Sequence, residues 1–498
     1  MPTTYDSPAP AAALSTTLST ASVLARVFSF PAMCMFLIAL VIFCYAPRGI
    51  AESDIWWHMR NARQLLQEHS FPHVDAYSFS AAGSPWMNFE WLSEVPYFLA
   101  FMAFGLRGVL LVYTAVLVLI YAGVYYRCCR AGADCKDAAV VTMGAVCLGG
   151  VSMAPRTLLF GWLCMMGLLL ALDRFKRTGK GLWVLPPIFA LWINLHGSWV
   201  FGIVLLAITI AAGLIEGEWG SVVAHRWSTS QVKNLALTFV ASLAALFVNP
   251  FGYKLVWYPF DLLFRHTEVI QSLEEWQPVD FGSAHGKFSM ALIFAVAAAA
   301  LLSRRRWKLD EVALTAFALF EGLLHARFLF FVGLIVAPIL APLLHLFPPY
   351  EPERDKPWLN AAIMAGVVAA MVLLFPTAKQ LQGQVDEVYP TAALKFMRNA
   401  QVEGRIFNQY GWGGYMEWHD PKLKPFIDGR ADLFVYNGVF ADYLQATGVK
   451  KPFEVLDKYK IDYVFIQPTH PLAYVVEHSP EWHPIYADKI AVLLQRRE

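Results

Sequence analysis

"ESDIWWHMRNARQLLQEHSFPHVDAYSFSAAGSPWMNFEWLSE", residues 52 to 94, follows directly on the first long apolar run of the chain and gathers acids, histidines and tryptophans in one place. Within it Ile55, Met59, Ala62 and Leu66 share one helical face, while Arg60, Arg63, Gln64 and Gln67 occupy much of the rest. That spacing predicts an amphipathic helix lying in a membrane interface, with Trp56 and Trp57 at interfacial depth. The "FPHVDAYSFSAAGSPW" that comes next carries too much Pro, Gly, Asp and His for a helix and reads as a loop folded over the membrane surface.

On either side the chain is built for lipid. Of its 498 residues 57% are hydrophobic and only 15% charged, where a soluble domain carries about a quarter charged. Runs of about the length a helix needs to cross a bilayer lie at 28 to 46, 107 to 126, 138 to 154, 156 to 173, 182 to 195, 198 to 215, 234 to 249, 287 to 302, 309 to 324, 328 to 346 and 358 to 375. The expectation is therefore a mainly α, polytopic membrane protein of about eleven transmembrane helices. Arg26 precedes the first run and no small-residue cleavage site follows it, so it reads as a retained helix. A net charge of +1 offers nothing to nucleic acid.

Basic residues alternate by loop: Arg127, Arg130 and Lys136; then Arg174, Lys176, Arg177 and Lys180; Arg226 and Lys233; Arg304, Arg305, Arg306 and Lys308; and Arg354 with Lys356. Placing these inside puts residues 1 to 26 in the cytoplasm as a disordered tail and makes 27 to 375 the membrane domain. Its first outer loop, 47 to 106, and everything from 376 to 498 then lie outside. "EWLSEVPYFLAFMAFG", Glu90 to Gly105, is apolar enough for a twelfth span, but counting it would invert the first two basic loops, so it is placed flat on the outer surface. The cysteines fall in spans or in one inner loop, and no disulfide is needed. In the last segment "RIFN", "KPFID", "IDYVFIQ" and "IAVLLQR" read as strands, and the stretches around Ala392 to Asn399, Phe440 to Thr447 and Phe453 to Lys458 as helices. A small extracytoplasmic α/β domain follows.

Sorted by side, the inner loops carry plain Lys and Arg, while the outer ends carry mixed groups: Asp54, His58, His73, Asp75, Glu90, Glu94, Arg156, Asn194, His196, Asn249, Tyr253, Arg265, His266, Glu274, Glu275, Trp276, His325 and Arg327. Such a one-sided gathering of unlike groups points to a site. Asp54 stands at the start of the amphipathic helix, where an N-cap is the structural reading and a proton acceptor the functional one. Asp54, His58, His73 and Asp75 together offer oxygen and nitrogen ligands for Mg or Mn, with a hydrogen-bonded loop as the alternative. In "IDGRADLF", Asp428, Arg430 and Asp432 read first as an ion pair holding a turn and second as an acceptor-positioning group.

These features together, a first span, an outer loop opening with an acid and an amphipathic helix, many further spans and an outer C-terminal α/β domain, resemble the GT-C superfamily of membrane glycosyltransferases. Its members include oligosaccharyltransferase catalytic subunits, protein O-mannosyltransferases and aminoarabinose transferases. The first-loop stretch is similar to that of bacterial members, and "QYGWGGYMEW", with Tyr410 and Trp412, is loosely like the acceptor-binding motif of oligosaccharyltransferases without its Trp-Trp-Asp core. The resemblance implies an inverting transfer of a sugar or glycan from a polyprenyl-phosphate-linked donor to a protein, lipid or polysaccharide acceptor on the periplasmic face of a bacterial inner membrane. On that reading Asp54 is the general base, and Arg327, Arg156, His325 and His196 meet the donor phosphate. His58, Asp75, Glu90, Glu94, Tyr410, Trp412, Asp428 and Arg430 then position substrate. The resemblance itself names no cofactor; the divalent metal, Mg or Mn, stays a candidate read from Asp54, His73 and Asp75. A lipid-linked glycan or lipid transporter and a non-catalytic scaffold are the alternative readings.

Overall fold

The computed structural model describes residues 20 to 497 apart from residue 51 and residues 266 to 275. Most of the expected tail, the side chain of Arg265, and His266, Glu274 and Glu275 lie outside what is described.

Every one of the eleven apolar runs contains a helix, because in an apolar setting the backbone has no hydrogen-bond partner but itself; even Pro338 is accommodated inside Leu329–Leu340. Length divides them. Six, Leu24–Tyr45, Leu106–Arg130, Cys135–Ser152, Leu158–Thr178, Ala284–Leu302 and Ala326–Leu343, are long and apolar enough to cross a membrane. A seventh arises if Pro357–Leu373 and Ala378–Val388, bent by 52° at their junction, count as one span. The other four runs give Leu185–Leu195, Trp199–Gly213, Thr229–Ala245 and Leu309–Leu324, each too short for a straight crossing of roughly 30 Å at 1.5 Å per residue. The expected eleven is reached only by counting these.

The amphipathic helix forms as Asp54–Glu68 and buries Ile55, Met59 and Ala62. Trp56 and Trp57 are 2% and 6% exposed and pack within the protein, so their partners are protein side chains and not lipid. Trp56 sits edge-on against Tyr389 and Tyr415 of the C-terminal segment. The apolar segment from Trp91 is a helix to Phe104, anchored at its start: the Trp91 indole donates to Asn194, the Ser93 hydroxyl to the Leu195 carbonyl and the Tyr97 hydroxyl to the Arg156 carbonyl. It stops at Gly105, whose φ of 60° and ψ of −147° suit glycine. The next helix then packs so closely that a Cβ on Gly108 would stand 1.9 Å from the Ala100 carbonyl oxygen.

A small sheet joins β1 (Gly217–Trp219), β2 (Val222–Ala224) and β3 (Trp307–Lys308) at the far end of the bundle. The C-terminal segment carries a second, with β4 (Ile406–Asn408), β5 (Tyr463–Ile466), β6 (Trp482–Ala487) and β7 (Val492–Arg496) in the order β4-β5-β7-β6. In this second sheet β4 and β5 pair in parallel and the other neighbours antiparallel. Helices Thr391–Asn399, Val439–Thr447 and Pro452–Lys458 match the sequence reading. "KPFID" does not: Pro425 makes one isolated bridge to Ile406, and proline has no N–H for a ladder. Helix Gly413–His419 seats this segment on the amphipathic helix. A Cβ on Gly414 would come 3.0 Å from the Trp57 backbone nitrogen, and the Arg63 guanidinium lies 3.6 Å over the Trp418 ring.

Candidate functional site

Two cavities meet at Asp54. The smaller, about 180 Å³, is bounded by the first loop (Trp57, His58, Glu90), the span ends (Arg156, His196, Arg327) and the C-terminal segment (Gly429, Asp432). The larger, about 670 Å³, adjoins Glu52, Gln277, Asp280, His285 and Tyr410. Asp54, Arg156, Gly429 and Ala431 wall both.

Ser53 takes the N-cap position and Asp54 is the first helical residue, so the capping role expected of Asp54 is not one it performs. Its Oδ1 instead accepts from the Trp57 indole N–H at 3.2 Å and the Ser53 hydroxyl at 3.4 Å. Neither bond uses Oδ2. Gly429 fits against this carboxylate because it has no side chain: a Cβ there would lie 2.1 Å from Oδ1.

Arg156 is ion-paired with Glu52, a residue the sequence reading passed over. The Arg327 guanidinium stands 4.6 Å above the Trp276 ring. His325 is turned elsewhere, with Nδ1 2.6 Å from the Trp276 carbonyl, and lines neither cavity. His196 favours its neutral form. Burial and then the neighbouring Arg327 hold it down to about 3; its Nδ1 accepts from the Ser198 N–H and its Nε2 faces Glu90 at 3.2 Å.

Glu90 accepts from the Thr157 hydroxyl at 2.9 Å, with His58 Nε2 3.7 Å away. Behind it Glu94, fully buried and outside both cavities, accepts from His58 Nδ1 at 2.9 Å and from the Asn61 and Asn88 amides. Glu94 thus orients His58 and lines neither cavity.

Arg430 is fully buried between Asp75, 2.7 Å from Nη1, and Asp428, 2.6 Å from Nη2. Glu417, also buried, has its carboxyl raised well above the usual range by burial and by the charge of Asp428. Asp75 belongs to residues that close the first loop, so this knot ties the loop to the C-terminal segment. Removing one partner of such a buried pair costs about 3 to 5 kcal/mol. The first reading of "IDGRADLF" accordingly describes Asp428 and Arg430, while Asp75 moves from substrate to structure. Trp412, 3% exposed against Phe465, is likewise core. Tyr410 keeps a place on the larger cavity, its hydroxyl 3.4 Å from the Gly429 carbonyl.

The metal shell drawn from Asp54, His58, His73 and Asp75 does not assemble. His73 is exposed, Asp75 is committed to Arg430 and to the turn at Tyr77 and Ser78, and no group of three His, Cys, Asp or Glu side chains suited to a metal occurs among the described residues.

No protein-family model and no curated protein sequence matches the chain. A solved structure does. The archaeal oligosaccharyltransferase AglB from Archaeoglobus fulgidus, in complex with an inhibitory peptide and a dolichol-phosphate, superposes with a TM-score of 0.54 over 93% of this chain and 74% of that one, at 12% identity. The likeness is one of overall fold. Within this fold the first loop, the span ends and the C-terminal segment are far apart in sequence, which is why Glu52, Thr157, Tyr258 and Gly429 escaped notice: their signal is proximity alone.

The buried carboxyl of Glu90 gives the protein a pH dependence. Burial raises it from 4.5 to about 7, against the lowering influence of His58 and Thr157. An acid whose folded-state value exceeds its unfolded one holds its proton better when folded, so stability falls as pH rises from about 4.5 to about 7. Burial opposes the charging of His58, but the hydrogen bond and charge of Glu94 leave its value raised, and its stabilisation is also lost on going up in pH. Thermal unfolding in detergent should therefore show Tm declining over that window, and Glu90→Gln should flatten the decline. An unchanged slope in the variant would place the titration elsewhere.

Proposed function

We propose that the chain is an inverting glycosyltransferase that moves a sugar or glycan from a polyprenyl-phosphate-linked donor to an acceptor at the outer membrane surface. The observation that carries this is the position of Asp54 in the wall between the two cavities, with Arg156 beside it and Arg327 in the smaller one. The smaller cavity takes the sugar and its phosphate, and the larger takes the acceptor. Asp54 Oδ2 receives the acceptor's proton as the acceptor attacks the anomeric carbon. The bond from that carbon to the phosphate oxygen breaks with its electron pair, and the departing phosphate is met by the guanidinium groups, whose fork matches its oxygens. The trapped Trp57 indole fixes the base. The AglB likeness supports the fold, and its dolichol-phosphate and peptide suggest the classes of donor and acceptor. A bacterial inner membrane, with the site facing the periplasm, is the setting that the basic inner loops favour. Any divalent cation at Asp54 would draw its other ligands from outside His73 and Asp75.

The test is a donor assay on purified protein. Polyprenyl-phosphate-linked sugar should be bound and consumed and a free nucleotide sugar ignored. Arg327→Ala should weaken donor binding by roughly the 1.5 to 3 kcal/mol of a charge-assisted hydrogen bond, and Arg327→Lys should restore only part. Turnover of a nucleotide sugar with no lipid carrier would sink the donor assignment. Binding of the lipid-linked donor without turnover would favour the transporter or scaffold reading.

A further inference from the structure

A second site lies at the opposite end of the bundle. Helix Leu158–Thr178 starts beside Thr157 in the candidate active site and ends, roughly 30 Å away at 1.5 Å per residue, in a crevice of about 270 Å³. Six cations line the crevice: Arg127 and Arg130, Lys176 and Arg177, and Arg305 and Lys308. Three are neutralised, Arg127 by Asp173, Lys176 by Asp310 and Arg305 by Glu311. Arg130, Arg177 and Lys308 are exposed and have no carboxylate partner among the described residues, which leaves an excess of three positive charges on one cavity.

Basic residues at helix C-termini and in inner loops are ordinary, but neither tendency requires them to converge from two helix ends and the Arg305–Lys308 segment on one hollow. The rest of the wall is apolar, with Leu169, Leu314, Ile335 and Ile339 continuing along the spans. A cationic mouth above an apolar wall matches a ligand with a phosphate head and hydrocarbon tails, the combination that basic pockets between transmembrane helices recognise. We infer that this crevice binds the phosphodiester headgroup of an anionic phospholipid from the leaflet opposite the active site, its acyl chains lying against those apolar residues.

Phosphatidylglycerol and phosphatidylcholine retained by the purified full chain would be counted by native mass spectrometry. In the triple variant Arg130→Gln, Arg177→Gln, Lys308→Gln, phosphatidylglycerol affinity should fall on the order of a hundredfold, from about fivefold per basic residue at an anionic surface, with phosphatidylcholine unaffected. Arg130→Lys with Arg177→Lys should keep the lipid, which separates lost charge from a damaged fold. A control triple, Arg174→Gln, Lys180→Gln and Arg304→Gln, removes the same charge from exposed neighbours that do not line the crevice and should leave binding as in the parent. Equal loss in both triples would reduce the effect to general surface charge, and parental binding in the crevice triple would dismiss the site. Displacement of phosphatidylglycerol by inorganic phosphate would make the ligand a soluble phosphate and overturn the lipid assignment.

Discussion

An Asp54→Asn variant is expected to fold as the parent does and to transfer sugar on the order of a hundredfold more slowly, the lower end of what a positioned general base contributes. The structure sharpens this expectation. The Asp54 side chain caps no helix, so no capping energy is at stake, and Asn retains an Oδ1 that can accept from the Trp57 indole and the Ser53 hydroxyl. What disappears is the capacity of the second oxygen to take a proton. The loss should appear in kcat with donor binding nearly unchanged, because the phosphate is met by other residues. A monodisperse variant with parental turnover would remove Asp54 from the chemistry.

Gly429→Ala should be nearly as damaging although residue 429 has no side chain to contribute. Its backbone is not in the left-handed region, so alanine suits the local conformation. The difficulty is space: the added carbon would stand 2.1 Å from Asp54 Oδ1 and 2.6 Å from Trp57 Nε1. The carboxylate must move, and a displacement of about 1 Å at a reacting group costs roughly a hundredfold in rate. Since the substitution acts through Asp54, the double variant with Asp54→Asn should be little slower than Asp54→Asn alone. Multiplied losses in the double variant, or a fully active Gly429→Ala, would show that the close approach of Gly429 does not position the base.

The knot around Arg430 shows how far local reading reaches. "IDGRADLF" brings Asp428 and Arg430 together at a spacing of two residues, and an ion pair there is legible. The third member, Asp75, is more than three hundred residues away, and its spacing to His73 suggested a ligand pair instead. Nothing in either stretch shows that the carboxylate had found its cation in the other. The tryptophans of the amphipathic helix teach the same lesson, since interfacial lipid and the C-terminal segment are equally good burial for an indole as far as the helix's own pattern is concerned.

The sequence by itself determined that the chain is a helical membrane protein, where its apolar helices begin and end to within a few residues, that a mixed α/β segment follows them, and that unlike polar groups collect at one end. All of these depend on composition and short-range periodicity, which neighbouring residues carry in full. Only the tertiary structure decided which polar groups face a cavity. Asp54, Glu90, Arg156, His196 and Arg327 do, while Glu94, Asp75, Trp412 and His325 are turned to other partners. That choice depends on the packing of helices distant in sequence, and on whether a glycine such as Gly429 lets two of them touch, and no local pattern records either.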